Sequence, residues 1–304
     1  AKTQWGEWSK KPLIVNFEIR PPIWLTKSFQ SLAVLIIVGL FVLIFRLRTR
    51  KLEKEKKKLE ELIAVKTKDL NYEKEKSEDL LLNILPAGVA NELKTNGFAK
   101  TRKYKKASVL FTDFKGFTKM SSEMSPEKLV QKLDEIFIAF DEVIERNHLE
   151  KIKTIGDAYM CASGIPDENP NQVKNVVLTG LQLVEVMNSF NEKQKLNNEP
   201  EWNVRVGIHT GELIAGVVGK KKFAYDIWGD TVNIASRMES NSEPGKVNIS
   251  RETYEEVRGF FNCEERGRIV AKNRGELEMY FVTELKSEFY SSESKNSANK
   301  NFYE

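Results

Sequence analysis

The stretch "EKIKTIGDAYMCASG", residues 150–164, decides the fold. β-Forming residues alternate up to Ile155, the run stops at Gly156, and a second run, "AYMCASG", follows Asp157. Two short runs separated by a glycine-containing pair read as a hairpin, with Lys153 on its first strand and the Asp157 carboxylate on its turn. Upstream, "KASVLFTD" reads as a strand, and "SPEKLVQKLDEIFIAFDEVIERNH" as an amphipathic helix with Ser125 as N-cap and Pro126 at its first position. Downstream come a helix from about Val173 to Phe190 and the strands "WNVRVGIHT", "ELIAGVVG" and "FAYDIW". A helix "DTVNIASRME", a strand "KVNIS", a helix "RETYEEVRG" and a closing hairpin ending in "LEMYFVTEL" complete the series. Strand, helix, hairpin, helix, strand is the split βαβ order, which predicts an α/β (α+β) ferredoxin-like domain over residues 104–285.

The chain has 304 residues, 40% of them hydrophobic and 30% charged, which gives room for one or two domains plus extended elements and excludes a wholly disordered protein. Cys161 and Cys263 lie far apart and match no metal-ligand spacing, so neither a disulfide framework nor a zinc site is expected. The same holds for His148 and His209, which read as structural. Net charge is +4, but between Arg46 and Lys76 twelve basic residues face seven acidic ones. The excess therefore sits in one segment beside an apolar run, and no nucleic-acid partner is expected.

That apolar run is "LAVLIIVGLFVLIF", Leu32–Phe45, whose 14 residues alone are too few to cross a bilayer; a buried helix and a signal-peptide core are the alternatives. Counting back through Ser28 gives 18 residues, roughly 27 Å of helix, with Trp24 at the outer interface. The cluster "RLRTRK" on the other side places that end in the cytoplasm and the N-terminus outside. A single-pass helix over residues 23–45 is expected, with the basic cluster against anionic lipid headgroups. Residues 1–22 read as one strand in which Leu13, Val15, Phe17 and Ile19 alternate, ending at Pro21-Pro22. This segment resembles the end of the extracellular sandwich domain in bacterial propeller-type sensor receptors, which implies a larger receptor with an extracellular sensor.

Residues 46–85 are free of glycine and proline and rich in helix formers. One heptad register places Leu52, Leu59 and Leu80 at one core position and Ile63, Leu70 and Ile84 at the other, but also puts Lys56, Lys66, Glu73 and Ser77 in the seam. Two readings remain: a solvated single helix, or a parallel two-stranded coil kept marginal so that small changes shift its packing. Pro86 ends the helix, and "AGVANELKTNG" begins a short second one within residues 86–103. The polar tail over residues 286–304 is expected to be disordered.

In a ferredoxin-like sheet the first strand adjoins the hairpin, so Asp113, at the end of "SVLFTD", and Asp157 reach the same end. Two carboxylates there suit divalent cations that prefer hard oxygen ligands. Between them "FKGFT", Phe114 to Thr118, leads toward a helix, and its backbone N–H groups suit phosphate oxygens. Paired carboxylates, a phosphate loop and no nucleophile–base pair point to metal-assisted phosphoryl transfer. Either aspartate alone would read as a turn or capping residue.

"VLFTDFKGFT", "KIKTIGDAYM", "YDIWGDTVNIASRM" and "GELEMYFV" resemble, in order, four successive motifs of class III nucleotidyl cyclases, and "LLLNILPAGVANELK" resembles the transducer segment preceding many of them. The resemblance implies a ferredoxin-like catalytic domain, active as a homodimer with its sites between protomers. It implies that Asp113 and Asp157, with the Phe114 carbonyl, bind two Mg2+ or Mn2+ ions that lower the pKa of the ribose 3′-hydroxyl and hold the triphosphate. Gly116, Phe117 and Thr118 would form the phosphate loop. From the partner protomer, Lys153 and Asp226 would read the purine, Asn233 orient the ribose, and Arg237 and Lys272 stabilise charge on the phosphates. Asn273 departs from the glycine of many members, and "GDAYM" and "GDTVN" are closer to guanylyl members.

The base follows from donor and acceptor chemistry. Adenine presents the N1 acceptor and the N6 amino donor, matched by a lysine donor and an aspartate acceptor; guanine reverses the pattern, and guanylyl members usually carry Glu and Cys there. Lys153 and Asp226 therefore predict a membrane-anchored adenylate cyclase acting on ATP. The alternatives are a guanylate cyclase and an inactive cyclase-like dimerising module, the latter predicting loss of a metal carboxylate, the Asn or the Arg.

Overall fold

The computed structural model describes residues 4–6, 14–18, 22–219, 222–271, 275–291 and 295–304. The chain divides into two compact units, Ala1–Ser77 and Glu78–Glu304. In the first, a short 3₁₀ turn, Ile23–Leu25, precedes helix α1, Lys27–Leu82. Apolar and charged halves form one uninterrupted 56-residue helix, because good helix formers run through Arg46–Lys58 without glycine or proline. No residue of α1 is buried, and its apolar half is long and apolar enough to cross a membrane. Ile14–Glu18, part of the expected N-terminal strand, carry no regular structure; Leu13 and Ile19 lie outside the described residues.

The helix ends at Leu82, so Ile84, assigned to the heptad core, lies beyond it. The residue before a proline is pushed out of the α region, and the chain turns through Asn83–Leu85 before Pro86 caps α2, Ala87–Asn96. Gly97 at φ 76° closes α2 with its N–H on the Leu93 carbonyl.

The second unit contains β1 (Arg102–Phe114), α3 (Phe117–Ser122), α4 (Pro126–Arg146), β2 (Glu150–Ile155), β3 (Ala158–Ser163), α5 (Gln172–Leu196) and β4 (Val204–Val218). Then come β5 (Ala224–Trp228), α6 (Asp230–Ser240), β6 (Val247–Ser250), α7 (Arg251–Val257), β7 (Phe261–Ala271), β8 (Gly275–Leu285) and α8 (Lys300–Tyr303). Strands run in the order β2-β3-β1-β4, all antiparallel, which is the ferredoxin-like arrangement predicted. β6 extends the sheet parallel to β4, β8 and β7 follow antiparallel, and β5 pairs with the far end of β4. Ser125 caps α4 as predicted, its hydroxyl accepting from the Lys128 N–H.

Period-two alternation divides β1 between two cores. Leu110 and Phe114 pack in the cluster with Phe140, Tyr159, Val176 and Trp202; Val109 and Phe111 pack in the one with Met160, Ala235 and Leu85. Asp113 shares the parity of the second set, the side covered by α6. That helix lies so close to β4 that a Cβ on Gly207 would come 1.8 Å from the Glu239 backbone nitrogen. Only glycine permits this approach.

Two expectations are corrected. "WNVRVGIHT" and "ELIAGVVG" form one 15-residue strand, because β1 pairs with β4 from Phe114↔Val204 to Arg102↔Ala215, past the Gly211 that suggested a break. Residues 286–291 and 295–304 fold back onto the domain as well. Phe302 is fully buried against Phe260, Phe261 and Phe289, and Lys174 Nζ donates to the Phe302 carbonyl at 2.5 Å. One aromatic anchor outweighs a polar composition when the domain leaves it a slot.

Candidate active site

Asp113 ends β1, and Asp157 follows Gly156, whose φ of 64° makes the tight turn between β2 and β3. The two carboxylates converge. Burial, followed by the negative charge of Asp113, raises the Asp157 pKa, while the Phe114 N–H donates to Asp157 Oδ2 at 3.4 Å. The negative charge of Asp113 opposes ionisation of Asp157, and two neighbouring carboxylates are a donor set that fits a hard divalent cation. Gly116, at φ 80°, turns the chain out of β1 so that half-buried Phe117, edge-on to Trp202, and exposed Thr118 open α3.

Beside the carboxylates stand two residues that sequence reasoning missed. Arg205 is the cross-strand partner of Asp113 in the β1–β4 register, and its guanidinium reaches Asp113 Oδ2 and, at 2.9 Å, Glu239 Oε1. Burial pushes the Glu239 carboxyl up to about 7, with Arg205 opposing the rise. The signal for Arg205 lay in "WNVRVGIH": Val204, Val206 and Ile208 enter the core by alternation, so Arg205 faces the other side, as Asp113 does on β1.

A second cluster joins β2 and β5. Lys153 Nζ lies 2.5 Å from Asp226 Oδ2, while Asp226 Oδ1 accepts from the Ile227 N–H at 2.9 Å. The backbone bond holds one carboxylate oxygen and leaves the other to the ammonium. Residues 73 positions apart in sequence thus form one donor–acceptor pair. Asn233 is exposed and Arg237 half-buried, one helical turn apart on α6. Lys272 and Asn273 lie outside the described residues.

Residues 99–284 match the profile of the adenylate and guanylate cyclase catalytic domain. The chain belongs to this family, the class III nucleotidyl cyclases. An adenylate cyclase of Mycobacterium tuberculosis is 41% identical over 216 residues, 70% of this chain and 47% of that protein. The receptor-type guanylate cyclase gcy-13 of Caenorhabditis elegans is 35% identical over 243 residues, 78% of this chain and 23% of its own. In structure, an adenylyl cyclase of P. aeruginosa superposes with a TM-score of 0.59 at 28% identity, covering 62% of this chain and 98% of that one. The chain thus spans about half the length of the mycobacterial relative and about a quarter of the nematode one. Catalytic domains of this family are those of lyases that make cyclic nucleotides, and class III cyclases use divalent metals in catalysis.

Proposed function

We propose that this chain is a membrane-anchored adenylate cyclase that converts ATP to 3′,5′-cyclic AMP and pyrophosphate at sites shared between two protomers. The observation that carries the choice of base is the Lys153–Asp226 pair, 2.5 Å apart on one protomer. An ammonium donor beside a carboxylate acceptor complements adenine N1 and the N6 amino group, and mismatches guanine O6 and N1–H. Adenine binding exchanges this internal contact for two contacts to the ligand.

Asp113 and Asp157, with the Phe114 carbonyl, are the residues that would hold the divalent cations. The bound ions would supply charge neutralisation of the triphosphate and acidity to the 3′-hydroxyl. The chain's own groups do the rest. The turn of Gly116, Phe117 and Thr118 receives phosphate oxygens. Asn233 orients the ribose and Arg237 meets charge that develops on the α-phosphate, both from the partner protomer, with Lys272 assigned to the same task. The 3′-hydroxyl gives up its proton to solvent, and its oxygen forms the new bond to the α-phosphorus as the bond to pyrophosphate breaks.

In this reading residues 1–22 end an extracellular sensor, residues 23–45 span the membrane with the N-terminus outside, and residues 46–85 pair as a coil. The transducer, residues 86–103, then leads into the catalytic domain, residues 104–285. A homodimer would contain two complete sites and a monomer none, which gives the coil its purpose. Supporting the membrane placement are the exposed apolar half of α1 and the basic cluster that follows it, which suits anionic lipid.

The purified chain in lipid nanodiscs, supplied with Mn2+ and either ATP or GTP, tests the reading. Cyclic AMP is expected as the main product. Cyclic GMP in excess would overturn the base assignment and favour the guanylate cyclase, in keeping with the nematode relative; no product from either nucleotide would favour the inactive dimerising module.

A further inference from the structure

Strand β2 carries one residue too many for its partner. Glu150 pairs with Ala162 and Lys151 with Cys161, but the next pair, with Met160, is made by Lys153. Ile152 is thus inserted into the ladder as a β-bulge, which bends the strand and re-aims its side chains. In a regular strand Lys151 and Lys153, two positions apart, would project to one face. Their contacts differ. Lys151 Nζ donates to both oxygens of Asp141 on α4, at 2.7 and 2.8 Å, and lies over the Tyr159 ring. Lys153 Nζ instead meets Asp226 on β5 at 2.5 Å. Helix α4 packs in the core with Leu110 and Phe114, and β5 in the one with Val109 and Phe111. Only the inserted residue stands between lysines whose partners belong to different cores.

Ile152 is half-buried, whereas Lys151, Lys153, Thr154 and Ile155 are all exposed. Its side chain packs against the cluster that holds Leu85, Val89 and Ala90, which belong to the elbow between α1 and α2 and to α2 itself. Residues 82–87 and 150–154 line one cleft from its two sides. The elbow is held in turn: Leu85 is 2% exposed, and Lys94 on α2 pairs with Glu78 near the end of α1 at 2.7 Å. We propose that Ile152 is a specificity-determining positioning residue, whose insertion turns Lys153 toward Asp226 and whose packing under the elbow sets how well that pair meets the purine. The inference rests on reading Lys153 as the base-reading donor. Ile152 touches no substrate and acts through Lys153. A change in how Leu85 packs is then felt in the choice between ATP and GTP, because a hydrogen-bonding site discriminates only while its donor is held in place.

The test compares dissociation constants of 3′-deoxy-ATP and 3′-deoxy-GTP, which lack the attacking hydroxyl and stop at binding, for the chain in nanodiscs with Mn2+. Calorimetry gives the ratio of the two, which general damage to the site would leave unchanged. Ile152→Ala is expected to lower the preference for the adenine analogue roughly tenfold, the size of one lost hydrogen bond from a charged donor. Ile152→Val keeps the β-branch and should keep the preference. Lys153→Ala should abolish it, and adding Ile152→Ala to Lys153→Ala should change nothing further, since both act on one contact. Circular dichroism checks that each variant is folded. Should Ile152→Ala fail to fold, Ile152→Leu carries the test: it keeps the volume but moves the branch, and lowers the ratio about threefold. A preference that is absent from the unsubstituted chain, or that survives Lys153→Ala, overturns the base reading and the inference with it. A preference lost in Lys153→Ala but unchanged in the Ile152 variants, or effects that add in the double variant, overturn the positioning role and leave the base reading standing.

Discussion

Two ion pairs within one domain are built for different ends. Lys153 and Asp226 meet with side chains 42% and 20% exposed, whereas Arg205 and Glu239 meet at 20% and 8%. An exposed pair contributes about 0–1 kcal/mol, because water solvates the separated charges almost as well. A buried cluster behaves otherwise: deleting one partner strands a charge and costs about 3–5 kcal/mol. The first pair can surrender its contact to a ligand at little cost to the fold. The second can exchange partners only if a charge of the same sign takes the vacated place.

Four measurements would break or sharpen this contrast. Asp157→Asn should lower cyclic nucleotide formation by about 10³-fold, as expected when charge stabilisation at the reacting centre is removed. Its melting temperature should hold or rise, since the neutral side chain avoids the burial cost and, secondarily, the repulsion from Asp113 that raise the Asp157 pKa. Arg205→Ala should then lower unfolding free energy by about 3–5 kcal/mol in urea titrations, with part of the loss recovered by Mn2+.

The third measurement concerns a carboxylate that burial alone perturbs. Glu150 is half-buried on β2, and burial pushes its pKa up to about 7 from the usual 4.5. A raised carboxyl pKa means that the folded state binds more protons than the unfolded one between pH 4.5 and 7. Stability from this group is therefore present below pH 4.5 and is lost as the pH rises through 7. Glu150→Gln should flatten that slope and stabilise the protein at pH 8 by on the order of 1 kcal/mol, read from melting curves across the pH range. Smallest of the four, Lys153→Ala should change stability by less than about 1 kcal/mol while eroding the preference for ATP over GTP in paired assays. A large loss of stability there would erase the distinction between the pairs.

Much of this arrangement was legible from residue order. Alternation in "VLFTD" and "EKIKTIGDAYM" put Asp113 and Asp157 at one end of the sheet, and Ser125-Pro126 marked the start of α4. These are local signals, carried by side-chain parity and capping chemistry. What escaped was decided at a distance. Arg205 becomes a partner of Asp113 only through a register spanning 92 positions, and Glu239 only because Gly207 lets α6 approach β4. The unbroken β4 and the buried Phe302 belong to the same class: each depends on a neighbour that composition does not reveal. Ile84 was lost to the heptad for the opposite reason, since Pro86 ended the helix earlier than the apolar spacing suggested.

The glycine at 207 has a consequence for how such a domain can be controlled. At Gly207 strand β4 meets the backbone of helix α6 directly, with no side chain between them at that point. Arg205 on the strand and Asn233 and Arg237 on the helix consequently move as parts of one plate. If two chains meet to make a site, each brings its plate whole. In the proposed dimer the adjustable quantity is then the angle at which the two plates meet, as in a lever.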